Sequence, residues 1–327
     1  MDATPLPISQ IALWNHLEPS TLEKQYKEHL SDFRDWEQER NVEALVYPEN
    51  FGPRMSIDDV AMHDGEAYTA ITNKDAKGKK GCLAAMIKGT KNEVVSRALN
   101  PVPFEIKMGV TEITADLANN MDWICRTNFI CATVVADRFH VQALVHEAVQ
   151  ELRILERRKA IDEDNQLEKA AREQRRHYDP FRYENGDTKK QLLARSRYLL
   201  FKPQEKWTES QSERGEILFR EFPKLKLAFD LSMDFRGIYE NKRLSKWEIT
   251  ELIKAWALNV KASKLPTLVS ASQTIMNNLG KIVNYFEHRS TNAGAESFNA
   301  KLKGFRALLR GVRDPAFFLY RVEKLFA

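Results

Sequence analysis

Cysteine is scarce: three residues in 327, at Cys82, Cys125 and Cys131, with no CxxC pair. An odd, scattered set excludes a disulfide framework and offers no zinc-ligand spacing. Small buried thiols in a reducing cytoplasm are the simplest expectation. No apolar run approaches the ~20 residues that a membrane span needs. The opening MDATPLPISQ has neither the basic nor the apolar segment of a secretion signal. A soluble protein is expected, without internal repeats or low-complexity tracts. The charge excess is slight, +4 at pH 7, so composition only weakly favours a polyanionic partner. What is present is globular material: 43% hydrophobic and 29% charged residues, over a length that suits one or two domains.

Residues 1–50 read as an N-terminal helical extension. Ser20 and Thr21 can cap a helix through LEKQYKEHLSDFRDWEQER, whose mixed charges fit a solvated connector. Past Pro53 the pattern changes. MSIDDVAM (55–62), EAYTAITN (66–73) and CLAAMIKG (82–89) read as three strands joined by short polar turns, an antiparallel meander. KNEVVSRALN reads as a helix ended by Pro101, and FEIKMGVTEIT can hold a fourth strand. Residues 116–128 look helical. ICATVVAD then suits a buried parallel strand ending at Asp137, followed by the amphipathic helix HVQALVHEAVQELRIL.

From about 155 to 285 no strand signal stands out, and Trp207, Trp247 and Trp256 are expected to fill a helical core. The chain closes, from Asn292, on further helix. The expected division is 51–155 for the first part of a core, 156–284 for a helical insertion and 285–327 for the last helices of the core. This order matches an α/β class: a ribonuclease H-like mixed sheet flanked by helices and interrupted by a long all-helical insertion.

Three acidic residues fall where that architecture can use them. Asp58 lies inside the first strand, although strands disfavour Asp. Asp137 ends the buried strand, at the edge where open α/β sheets carry functional groups. Glu296 opens a helix in NAGAESFNAKLKGFR. Phosphoryl transfer on nucleic acid uses two divalent ions about 4 Å apart, held by carboxylates on rigid elements. Each residue also has a plainer reading: Asp58 as an edge-strand surface group, Asp137 as a helix cap, and Glu296 as a partner of the helix dipole.

Three segments together carry a resemblance. VVADRFHVQALVHEAVQELR is similar to the second-Asp motif of bacterial insertion-sequence DDE transposases, which read DRFH before a helix. NAGAESFNAKLKGFRALLRGVRDPAFFLYRV resembles their last motif, and MSIDDVAMHDGEAYTAITN their first. The resemblance runs from about residue 50 to the end, to the ISL-three type and its ISAon-like subgroup. Asp59 stands where that family often has Glu, and Glu296-Ser297 replaces a common Glu-Gly pair. The resemblance implies metal-dependent DNA cleavage and strand transfer, with two Mg²⁺ (or Mn²⁺) ions held by Asp58, Asp137 and Glu296.

DNA, both element ends and target, is the implied partner. Arg138 and His140 would contact phosphate or shape the site; a packed His140 is the alternative. Asn299, Lys301, Lys303 and Arg306 offer a cationic helix face, with Asn299 and Lys303 four apart and Lys303 and Arg306 three apart. Arg153, Arg157, Arg158 and Lys159 can also track phosphates, but interspersed acids argue for a solvated helix. The zinc motif and helix-turn-helix usual in relatives do not precede Asp58, so a separate upstream DNA-recognition protein is expected. Synapsis of two ends implies a homo-oligomer, and the expected location is the bacterial cytoplasm, at the nucleoid. A stand-alone ribonuclease H-like nuclease and a non-catalytic, domesticated derivative are the competing readings.

Overall fold

The computed structural model describes residues 4–61, 65–289, 293–309 and 312–327. Met62 and Asn292, which the sequence assigned to a strand and a helix, lie outside the described residues. The chain begins with helices α1 (Ile8–Trp14), α2 (Pro19–Gln25) and α3 (Phe33–Glu39). Strands β1 (Ala44–Val46), β2 (Arg54–Ala61), β3 (Ala67–Asn73) and β4 (Leu83–Lys88) follow. Then come α4 (Asn92–Leu99), α5 (Phe104–Met108), β5 (Glu112–Ala115), α6 (Asn119–Asn128), β6 (Thr133–Ala136) and α7 (Arg138–Glu173). Helices α8 (Lys189–Arg195), α9 (Glu209–Glu221), α10 (Pro223–Glu240), α11 (Lys246–Ser263), α12 (Pro266–Asn277) and α13 (Leu279–His288) continue the chain. It ends with α14 (Ala293–Leu308) and α15 (Pro315–Phe326). Residues 1–138 and 288–327 form one compact unit and residues 139–287 a second.

The first unit is built on a six-stranded sheet of order β1-β4-β3-β2-β5-β6. β3 is antiparallel to β2 and β4, while β5 and β6 run parallel to β2. This mixed sheet, flanked by helices and continued after a helical block, is consistent with the ribonuclease H-like class. Alternation along β2 explains its two covers, because successive side chains leave a strand on opposite faces. Met55 and Ile57 join Ile71, Ile87, Val95, Leu99, Met121 and Ile124 in a core beneath α4 and α6. Val60, with Tyr68 and Ala70, packs against Phe298, Leu302 and Phe305 of α14 and against Phe318 and Val322 of α15.

Two local expectations are corrected and a third is narrowed. The first fifty residues are not a solvated connector. Tyr26, Phe33 and Trp36 are buried in the core that contains α15, and Phe33 and Trp36 meet the Tyr320 ring edge-on. Trp36 Nε1 and Tyr47 Oη both donate to Glu323 Oε2, each at 2.7 Å, and β1 extends the sheet beside β4. Aromatics interleaved with charges conceal this buried face in the sequence. Glu18, not Ser20, caps α2, accepting from the Thr21 N–H. In FEIKMGVTEIT the first half is helix α5, entered from Pro103 and closed at Gly109, so β5 keeps only four residues.

The second unit is helical among its described residues, apart from one isolated bridge between Arg182 and Thr188. Trp256 fills its core, stacking near Phe235 and donating to the Leu231 carbonyl at 2.7 Å, and Trp207 packs against Phe229. Trp247 is exposed, contrary to the core role expected of it. Cys82 and Cys125 are buried as expected, whereas Cys131 is exposed.

Candidate active site

Strand register brings the first two candidate carboxylates to one level of the sheet. Ser56 pairs with Thr114 across the parallel β2–β5 ladder, and Ala115 pairs with Ala136 across β5–β6. Continuing each strand aligns Asp58, Asp116 and Asp137, and the Asp137 N–H still bonds the Ala115 carbonyl at 2.8 Å. By alternation Asp58 and Asp137 share the face that carries Ser56 and Thr114. With neighbouring strands about 4.8 Å apart, their backbones stand roughly 10 Å apart, within reach of two side chains that lean together. Asp137 is buried and Asp58 half-buried. Asp116 turns the chain toward α6, its Oδ1 accepting the Ala118 N–H at 2.7 Å.

The third candidate rides on α14. Ala295, Phe298, Leu302 and Phe305 are buried at helical spacing and press this helix onto β2 and β3. Glu296, in the first turn, is exposed. Asn299, three residues on and on the same side of the helix, donates from Nδ2 to Asp58 Oδ2 at 2.6 Å. Its Oδ1 is buried without a hydrogen-bond partner. A glycine sets the depth of the helix. At Gly78, φ is +69° and a Cβ would stand 2.9 Å from Ser297 Oγ and 3.3 Å from the Gly294 carbonyl. Lys301 donates to the Gly78 carbonyl at 2.6 Å and Arg306 to the Ala61 carbonyl at 2.8 Å. Both cations thus fasten the helix to the sheet. Lys303 is exposed; Arg138 is half-buried, and His140, the second residue of the other unit, is exposed.

Lys74 was not singled out by sequence reasoning. Its ammonium is almost fully buried and donates to Glu112 Oε1 at 3.0 Å and to Thr114 Oγ1 at 2.8 Å. Burial lowers its pKa most; the opposing fields that hold its proton come from Glu112 and, more weakly, Asp137. Asp59 is pushed up to about 6, first by burial and then by the negative charges of Asp116 and Asp58. Negative charge is therefore concentrated where β5 and β6 end beside the middle of β2. Among the described residues no three His, Cys, Asp or Glu side chains are gathered closely enough, as they lie, to hold a metal ion by themselves. Asp58 instead faces Asn299 and the Asp59 N–H.

A protein family described as transposase, of the ISL-three type, matches residues 55–322. The chain belongs to this transposase family. Its matched span takes in all three candidate carboxylates, the whole of the second unit and most of the first. Among solved structures, this family member is similar to a chain of the Drosophila P element transposase strand transfer complex. The two share 11% identity and a TM-score of 0.36, over 97% of this chain and 90% of the other. At that distance the likeness informs neither mechanism nor residue roles. No curated protein matches the chain. None of the described helices is long and apolar enough to cross a membrane.

Proposed function

We propose that this chain catalyses cleavage of insertion-sequence DNA and its transfer to a target strand, with Asp58, Asp137 and Glu296 as the metal-holding groups. The observation that carries the reading is the alignment of Asp58 and Asp137 on one sheet face, with Asn299 tying the helix of Glu296 to Asp58. The donor chemistry suits Mg²⁺, a hard cation that takes oxygen ligands. The partnerless buried Asn299 Oδ1 adds a further oxygen beside Asp58. Mg²⁺ sites commonly use one or two carboxylates and complete their shell with water and substrate phosphate, so a closed protein cage is not required. When bound, a pair of such ions would supply Lewis acidity to water for nicking and to a DNA 3′-hydroxyl for joining, by in-line attack at phosphorus.

The remaining roles belong to the chain. Asn299 orients Asp58. Lys74 offsets part of the negative charge near Asp137 through its contacts on β5. Lys303, together with Arg138 and His140, offers groups for backbone phosphates, whereas Lys301 and Arg306 chiefly seat the helix. A separate protein that recognises the element ends, and a homo-oligomer at synapsis, complete the proposal.

The test is a cleavage assay on element-end DNA with Mg²⁺, comparing the wild type with Asp137→Asn. Loss of cleavage by at least a hundredfold, with the fold retained by circular dichroism, is expected. Undiminished Mg²⁺-dependent cleavage by Asp137→Asn would remove this carboxylate from the mechanism.

A further inference from the structure

The helical unit has a cavity of about 570 Å³, lined by residues of the first part of α7 together with Arg197 and Phe201. That volume is in the range of small-molecule sites. Its wall contains Arg153, a residue only 6% exposed. Arg153 Nε donates to Gln150 Oε1 at 2.7 Å and Nη1 to the Leu193 carbonyl at 2.8 Å. Both acceptors are neutral, and no carboxylate pairs with Arg153 among the described residues. Two of the five N–H groups of a guanidinium are thereby used, which leaves three for a ligand.

A buried cation without a counter-charge is costly, and such groups normally occur paired. The neighbours increase the deficit. Burial first, then the fields of Arg157 and Arg197, lower the proton affinity of Arg153. Two further atoms at the same wall, Gln142 Nε2 and His146 Nδ1, are buried without hydrogen-bond partners. Among the described residues of the lining Glu147 is the one acid, and it is exposed. The apolar part of the wall includes Phe201 and Phe139, the latter 58% exposed.

We propose that this cavity is a nucleotide subsite, which takes a phosphate against Arg153 and a base against the aromatic surface of Phe139 and Phe201. A phosphate offers the planar, multidentate acceptor set that a guanidinium matches. An aromatic side chain stacks on any base regardless of sequence. The source of the nucleotide is an unstacked residue of a DNA strand. That source rests on the DNA-acting reading above; the phosphate chemistry of the pocket does not.

Calorimetric titration of the full chain in EDTA, with a thymidine hexanucleotide, thymidine 5′-monophosphate and inorganic phosphate, tests the proposal. The wild type is expected to bind the two nucleotide probes. Arg153→Met should weaken both by roughly tenfold to a hundredfold, the worth of charge-assisted hydrogen bonds. Its circular dichroism spectrum should match that of the wild type, so that lost binding is not a lost fold. Phe139→Ala, at an exposed position, should weaken the nucleotides while leaving phosphate binding unchanged.

Wild-type affinity in Arg153→Met, or no binding of either nucleotide by the wild type, overturns the subsite. Tighter binding of the hexanucleotide than of the mononucleotide supports the DNA strand as source, and equal binding overturns that source. Because these titrations contain no metal, their failure is separable from that of the carboxylate reading, which is judged by Mg²⁺-dependent cleavage alone.

Discussion

Replacing Lys74 with methionine removes a buried ammonium and leaves Glu112 behind. In the ion pair at 3.0 Å the two side chains are 7% and 8% exposed, so the abandoned carboxylate cannot recover its hydration. Removing one partner of a buried pair costs about 3–5 kcal/mol, most of it the price of an uncompensated charge. Thr114 Oγ1 loses a donor as well. With a urea slope of about 1–3 kcal/mol per molar, the unfolding midpoint of the sheet-containing unit should fall by roughly 1–5 M. The double variant Lys74→Met with Glu112→Met replaces both charges with apolar groups of similar length. It should recover to within about 1.5 kcal/mol of the wild type, because a buried pair is commonly near neutral against apolar replacements. Urea titrations of the four proteins in this cycle give the coupling directly. A loss below about 1 kcal/mol in Lys74→Met, or a double variant as unstable as the single one, would refute the reasoning. Cleavage measured on the same proteins separates fold from chemistry: the double variant should regain stability without regaining full activity, since the positive charge near Asp137 is still missing.

Two further outcomes follow from the geometry. Gly78→Ala should destabilise by about 2 kcal/mol, from a left-handed backbone conformation and a Cβ at 2.9 Å from Ser297 Oγ. Adding Ser297→Gly should return part of that loss in thermal unfolding; an additive further loss would show that the contact is not the cause. His146 is held neutral, first by burial and then by Arg236. The unfolded chain therefore binds the proton more readily, and stability should decline as pH falls below the ordinary histidine value of 6.5. His146→Gln should flatten that decline in denaturation curves between pH 7 and about 5, and an unaltered slope would exclude His146 as its source.

The three strands of the meander were legible because period-two alternation and glycine-rich turns are local signals. β6 and its terminal Asp137 were legible as a short apolar run bounded by polar residues. The fourth strand expected within FEIKMGVTEIT is β5, in its second half, while the helix over Phe104 to Met108 carried no distinct signal because so short a stretch suits either state. β1 escaped notice because three residues carry no period, and its pairing with β4 is long-range. The same limit applies to the site. Asp58 and Asp137 stood out as acids in or beside strands, but Lys74 resembled any turn lysine. Its meaning depends on Glu112, 38 residues away, and that of Asn299 on Asp58, 241 residues away.

The sequence by itself determined the order of β2 to β6 with the longer helices between them, the interruption by a helical block and the identity of three acids in family-like motifs. These depend on side-chain periodicity and turn chemistry within a few residues. Only the tertiary structure decided which residues support those acids. Parallel register levelled Asp58 with Asp137, the close approach at Gly78 set α14 against the hairpin turn, and folding buried Lys74 among β5 side chains. Burial and hydrogen bonding between distant segments are properties of the packed chain, and no local pattern encodes them.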